Sequence, residues 1–341
     1  MHPKVARPRR PEFAPAVVGV LLLAAPLLLS SCKEHPPRTT PETPAASSKA
    51  HSAHRKKPAR HASPAESDAP ATLRFIAYNL ENWLTMERDV GGQLKATPKP
   101  ESEKSACIRL LAAAKPDVLG ICEIGSRDDA AEVRSRLKAA GIDLPHLHFT
   151  GGADDVRHLA LLSRFPLTAH DPGRLTYRIE TLEFGMQRGI LDASLAIDGS
   201  SFRFLGVHLK SKREVVAGDQ EQMRRNESHL LRRHVENLLA ADPEARLVVY
   251  GDFNDTRHSA VIRGVQGPYN SPLFLTALPL ADAQGDRWTH HWAYEDVYSR
   301  FDYIMVSQPL KREADFKASR ILDDSDWNEA SDHRAVLAVF R

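Results

Sequence analysis

The feature that most constrains this chain is a set of acidic, amide and imidazole side chains, each at the end of a short run rich in Ile, Val, Leu and Phe. Residues 73–78, 117–122, 202–207 and 247–250 are such runs, and residues 159–163, 190–197, 300–307 and 335–340 complete the set. Runs of this length and composition form strands, and apolar residues at successive positions ask for burial on both faces. A strand buried on both faces ends at the rim of its sheet, so the polar residues after the runs are expected to gather there. In chain order they are Asn79 and Glu81, Glu123, His208, Asp252 and Asn254, Asp302, then the adjacent pair Asp332 and His333.

Helical spacing appears in fewer places. Residues 102–114 carry apolar Ala106, Ile108, Leu110 and Leu111 before Pro116 stops the helix. Residues 128–140 end at Gly141, whose freedom at positive φ suits a helix C-terminus, and residues 220–239 form a long amphipathic helix bearing many Arg and Glu. Asp198-Gly199 between two strand runs is a hairpin signal. The expected fold is α/β (α+β), a four-layer sandwich of two mixed β-sheets packed face to face with helices outside. No internal repeat is present.

The leader reads differently. In residues 1–32, Lys4, Arg7, Arg9 and Arg10 precede an apolar run at 14–29, which is shorter than the roughly 20 residues of a spanning helix and is broken by Pro15 and Pro26. A secretory signal is expected. Its end, Leu29-Ser30-Ser31-Cys32, resembles the lipobox of bacterial lipoproteins, which implies lipidation of Cys32 and a place in the bacterial cell envelope, periplasmic or on the outer surface. Residues 33–71 are rich in Pro, Ala, Ser, His and Lys and hold almost no large apolar side chain, so they are expected to be a flexible tether, with His51, His54 and His61 as part of a basic spacer. Residues 72–341 then suffice for one large core and one catalytic domain, expected to act as a monomer.

Charge narrows the partners. The whole chain carries +2; the leader and the tether carry +3 each, which leaves residues 72–341 at −4. Binding nucleic acid through bulk positive charge is thereby excluded, and any such contact has to come from local Lys and Arg. Beyond Cys32 only Cys107 and Cys122 remain, expected as two buried thiols, with a disulfide as the alternative in an oxidising envelope.

Carboxylates are hard oxygen donors that suit Mg²⁺, and amides and imidazoles suit phosphate oxygens, so the rim set points to metal-assisted cleavage of a phosphate ester. Singly, each residue has a plainer reading as a loop acid, a packed histidine or a turn cap. Jointly they form a pattern. Tyr78-Asn79-Leu80-Glu81-Asn82, Pro116 to Glu123, Gly206-Val207-His208-Leu209-Lys210-Ser211, Gly251-Asp252-Phe253-Asn254-Asp255, Arg300-Phe301-Asp302-Tyr303-Ile304 and Ser331-Asp332-His333 resemble, in this order, the endonuclease/exonuclease/phosphatase superfamily. Gly-Asp-Phe-Asn and the final Ser-Asp-His are the specific stretches, and together the six span nearly all of residues 72–341.

The resemblance implies roles. Glu123 would be the principal carboxylate for Mg²⁺, with Mn²⁺ able to substitute, beside Asn79, Glu81 and Asp332; some relatives carry Asp where Glu81 stands. Asp252 would orient or deprotonate the attacking water, Asn254 would hold a phosphoryl oxygen, and His333 would donate to that group with Asp302 fixing its tautomer. Gly251 would let the backbone approach the substrate. His208, where abasic-site endonucleases carry a Tyr-containing stretch, would protonate a leaving oxygen or bond a phosphate. Asn79, Arg188 and Lys210 would contact the substrate, and Trp288, Trp292 and Tyr294 are candidates to stack on bases. The expected partner is nucleic acid or another phosphoester, with the membrane reached through the lipid. An extracellular nuclease is the first expectation, a phosphatase or phospholipase C-like enzyme on inositol phosphate or lipid headgroups the second, and an inactive binding protein the third.

Overall fold

The apolar runs form strands that continue past their hydrophobic residues. In this computed structural model, which describes residues 72–341 apart from residues 198 and 217, the strands are Leu73–Trp83, Val118–Ile124, Ser200–His208 and Arg246–Asp252. Asn79, Glu123, His208 and Asp252 therefore lie within the strands' last residues, because their backbone groups still pair with a neighbour while their side chains reach the rim. Cys32, the leader and the tether lie outside the described residues.

Each six-stranded sheet is mixed. One runs Arg320–Ile321, Val336–Phe340, Leu73–Trp83, Val118–Ile124, His158–Ser163, His146–Thr150; the other runs Thr276–Ala277, Asp302–Val306, Arg246–Asp252, Ser200–His208, Leu191–Ile197, Leu167–Ala169. The pairing directions explain why the rim residues meet. Leu73–Trp83 and Val118–Ile124 are parallel, so Asn79 and Glu123 leave by the same edge, while antiparallel Val336–Phe340 enters from that edge just after His333. In the second sheet His208 is the register partner of Asp252 in a parallel pair, and Asp252 is the partner of Asp302 in an antiparallel one. Asp302 thus begins its strand where the others end.

Three apolar clusters make the layers. The first fills the space between the sheets, where Phe75 packs on Phe204 at 5.0 Å and edge-on to Tyr250 at 4.8 Å. The Tyr250 side chain lies over Gly120 and Gly206, where an added Cβ would come within 2.1 Å of its ring and 2.6 Å of its hydroxyl. The second cluster joins the outer face of one sheet to helices Glu101–Ala114 and Arg127–Ala139, and the third joins the other sheet to Gln220–Ala241 and Ala260–Gln266. This is the four-layer sandwich expected.

The strand His146–Thr150, the helix Ala260–Gln266 and three small two-stranded sheets were not legible as runs. All five strand residues of 146–150 are only half-buried at a sheet edge, so they lack the signature of buried strands. Residues 171–187 contain the hairpin Thr176–Ile179 with Leu182–Gly185. Cys107 and Cys122 are free, buried thiols. No helix among the described residues is long and apolar enough to cross a membrane.

Candidate active site

The site opens with a local break in a strand. Between Asn79 and Trp83 the pairing with Val118–Ile124 loses register, and Glu81 and Asn82 sit at φ +47 and +58. Glu123 and Asn254 are also in the left-handed region, at φ +60 and +50. Such backbone costs about 1–3 kcal/mol per residue and persists only where surroundings enforce it. Here the enforcing bonds are visible: Asn79 Oδ1 accepts from the Glu81 N–H at 3.0 Å, Glu123 Oε2 from the Asn82 N–H at 2.9 Å, and Asp252 Oδ1 from the Asn254 N–H at 2.8 Å.

Asn79 is the hub. Its amide nitrogen is 3.1 Å from Asp252 Oδ2, 3.3 Å from Glu123 Oε1 and 3.5 Å from His333 Nε2, so one side chain links both sheets. His333 Nδ1 meets Asp302 Oδ2 at 2.7 Å, with both residues buried, and its Nε2 lies 3.7 Å from Asp252 and 4.0 Å from Asp332. Ser331 fixes this corner, since its hydroxyl donates to the Asn79 carbonyl and accepts from the His333 N–H. Thr289 fixes the other, its hydroxyl oxygen accepting from the N–H groups of Phe301 and Asp302.

Electrostatics divide the two histidines. Burial alone would depress His333, but the Asp302 and then the Asp252 carboxylate outweigh it and hold its pKa well above the usual range, so it is an imidazolium. His208 is pushed well below that range by burial and then by the Arg188 charge, with His333, Arg157 and Lys210 adding to it. His208 is therefore neutral, 3.5 Å from Asp252 and 3.9 Å from Glu123, with Nδ1 buried and without a partner. Asp252 is pushed up to about 7 by burial, with Asp302 adding to the rise against His333.

The acidic side of the rim fits a divalent cation. Glu81 is raised to about 7 by burial and by the Asp332 carboxylate, and Asp332 is raised by burial and, among its neighbouring charges, by Glu123. Asp332 donates its N–H to Glu81 Oε2 at 3.0 Å, which brings the two residues together. Closely spaced carboxylates that repel one another are what a hard cation relieves. Two groups that include His333 also have ligand-like spacing, one with Asp252 and Asp302 and one with His290 and Asp332. Because His333 Nδ1 is already bonded to Asp302, the first is better read as an acid–base unit.

Other expected residues take more specific places. Asn254 donates its amide to the Leu209 carbonyl at 3.0 Å, bracing the strand that carries His208. The Lys210 ammonium lies 3.3–3.5 Å from Ser211 and Arg213 oxygens and so organises that turn. Arg188 pairs with Asp154 at 3.1 Å, and its Nε and Nη1 are buried without a partner. The need for Gly251 differs from expectation: it sits at φ +130, and an added Cβ would lie 1.9 Å from the Val207 carbonyl, so the close approach is to the neighbouring strand.

Sequence reasoning missed His290. It bridges to His333 in the backbone, its ring lies 4.7 Å from that of His333 and stacks on Phe301, and burial with the His333 charge pushes its pKa down to about 4. No apolar run precedes it, so the signal that found the others was absent.

The profile of the Endonuclease/Exonuclease/phosphatase family matches residues 90–333 of this rim-bearing fold. The chain belongs to the endonuclease/exonuclease/phosphatase family. As a member it is a divalent-metal-dependent hydrolase of phosphate esters. The family match begins after Asn79 and Glu81, which the geometry brings to the site. No curated protein matches the chain significantly. Among solved structures, an endonuclease/exonuclease/phosphatase family protein from Leptotrichia buccalis is similar at 16% identity and TM-score 0.55, covering 79% of this chain and 99% of its own. The human Nocturnin catalytic domain with bound sulfate anion is similar at 18% identity and TM-score 0.53, covering 79% and 94%. D. rerio TDP2 complexed with single strand DNA product is similar at 17% identity and TM-score 0.52, covering 80% and 99%. At these identities the likeness is one of fold.

Proposed function

We propose that this hydrolase is a nuclease that cleaves phosphodiesters with activated water and is anchored to the bacterial cell envelope through Cys32. The observation that carries the reading is an aromatic hairpin growing out of the catalytic rim. His290–Trp292 pairs with Val297–Ser299, the His291 N–H bonds the Asp332 carbonyl at 3.0 Å, and His290 bridges to His333. At the tip Trp292 and Tyr294 are 49% and 85% exposed with rings 6.0 Å apart. Exposed aromatic rings beside a phosphate site suit the faces of nucleobases flanking a scissile bond. TDP2 from D. rerio, of the same fold, is complexed with a single strand DNA product.

In this reading Glu123, Glu81 and Asp332 would hold Mg²⁺, for which Mn²⁺ could substitute, with Asn79 beside them. When bound, the metal supplies positive charge to a phosphoryl oxygen. Asp252, titrating near 7, takes a proton from the attacking water. The His333 imidazolium donates to the oxygen on which charge grows, and Asp302 holds it charged and oriented. His208 offers a neutral N–H to the phosphate, the second of the two roles expected of it from the sequence. The Arg188 charge, which acts on His208, would add positive potential on that side of the site. Hydrolysis is direct and in line, because no residue of the set is placed as a nucleophile.

The test is a parallel assay of the full chain with Mg²⁺ and with Mn²⁺ against single-stranded DNA, plasmid DNA, RNA, an inositol phosphate and sphingomyelin. Cleavage of nucleic acid above the others is expected. Turnover confined to the inositol phosphate or sphingomyelin would replace this reading with the headgroup-hydrolase one, which the lipobox-like Cys32 also suits. Membrane fractionation of Cys32→Ser against wild type tests the anchor, and equal membrane association of the two would remove it.

A further inference from the structure

Lys99 belongs to none of the motif stretches, yet its side chain has no exposed area. It lies two residues before the helix Glu101–Ala114, whose N-terminus presents partial positive charge, and burying an ammonium is itself costly. Both effects oppose a lysine here. What offsets them is a cage of three oxygens around Nζ: Glu103 Oε2 at 2.8 Å, the Glu81 carbonyl at 3.2 Å and Glu81 Oε2 at 3.8 Å. Two carboxylates and a carbonyl converging on one point are the donor set of a small hard cation, and here an ammonium stands at that point. Glu81 is also the residue that the broken strand turns toward Asp332.

We propose that Lys99 is a built-in cation occupying a second cation position at the rim, so that the enzyme loads one divalent ion and Lys99 shares its charge between Glu81 and Glu103 in place of another. This rests on the metal-dependent reading of the site and goes beyond it by fixing the number of ions and the residue that sets it. An ammonium cannot leave, carries a single charge and needs no free metal. The charge beside Glu81 and Glu103 is therefore present at any metal concentration. Removing the ammonium while keeping both carboxylates leaves an anionic oxygen cage that a divalent ion fits.

The experiment is a Mn²⁺ titration of the full chain, with free ion read by electron paramagnetic resonance, on wild type, Lys99→Ala and the double variant Lys99→Ala/Glu103→Gln. One ion per chain is expected for wild type, two for Lys99→Ala, and one again for the double variant. Should Lys99→Ala melt below the assay temperature, its melting temperature against Mn²⁺ concentration reports the same thing. It should rise through two saturations where wild type shows one. Two ions in wild type, one in Lys99→Ala, or two retained in the double variant would overturn the proposal. Absence of any bound ion in all three would instead overturn the metal-dependent reading, and this proposal with it.

Discussion

Asp302→Asn tests whether His333 and Asp302 act as one unit. The two side chains meet at 2.7 Å with both residues buried, so water does not replace the lost carboxylate charge. A buried hydrogen bond between charged partners contributes about 1.5–3 kcal/mol, which corresponds to a loss of about 10- to 10²-fold in rate. Removing the imidazolium outright, as in His333→Ala, removes a preorganised donor to the phosphoryl group and is expected to cost about 10²–10³-fold in kcat. Since Asp302 reaches the phosphate only through His333, the double variant should be little slower than His333→Ala alone. Independent action would give about 10³–10⁵-fold instead, by multiplying the two losses. The assay is steady-state kcat on bis(p-nitrophenyl) phosphate with saturating Mg²⁺. The pH profile adds a second readout. Asp302 raises the His333 pKa, so in Asp302→Asn the proton is lost at lower pH and the alkaline limb of activity moves toward acid. Multiplicative losses with an unmoved alkaline limb would refute the pairing.

Glu123→Gln keeps the shape of the side chain but removes an anionic oxygen at the metal side of the rim. Activity should collapse, and wild-type turnover that persists in excess chelator would contradict the role of the metal. Trp292→Ala should raise KM on single-stranded oligonucleotides by about 5- to 10²-fold while kcat stays near wild type, since stacking contributes about 1–3 kcal/mol per base. An unchanged KM would leave the aromatic hairpin without a part in substrate binding. Glu227 is fully buried beneath the Gln187 and Lys210 N–H groups, and burial pushes it up to about 7 against the nearby Arg188 and Lys210 charges. The unfolded chain releases this proton near 4.5. The stability it gives is therefore complete below that pH, declines as pH rises, and is gone above about 7, by about 3 kcal/mol in all. Denaturant melts of Glu227→Gln should lose this slope, and a slope equal to wild type would show that another group sets it.

The sequence by itself determined the buried strands, three of the outer helices and the identities of most rim residues. Buried strands write themselves as continuous apolar runs, and a polar side chain directly after such a run has only the rim to occupy. That is why Asn79, Glu123, His208 and Asp252 were legible one by one, and Asp302 at the head of its own run. Their mutual geometry was not, because strand direction and sheet order are long-range facts: Asp302 meets Asp252 only through an antiparallel pairing. Charge state was equally hidden. His208 and His333 look alike in sequence, and the surrounding cations and carboxylates make one neutral and the other charged. His290 and Lys99 follow no apolar run and belong to no motif stretch. They enter the site only when the loops that carry them fold back against His333 and Glu81, so their part in it is decided by tertiary packing.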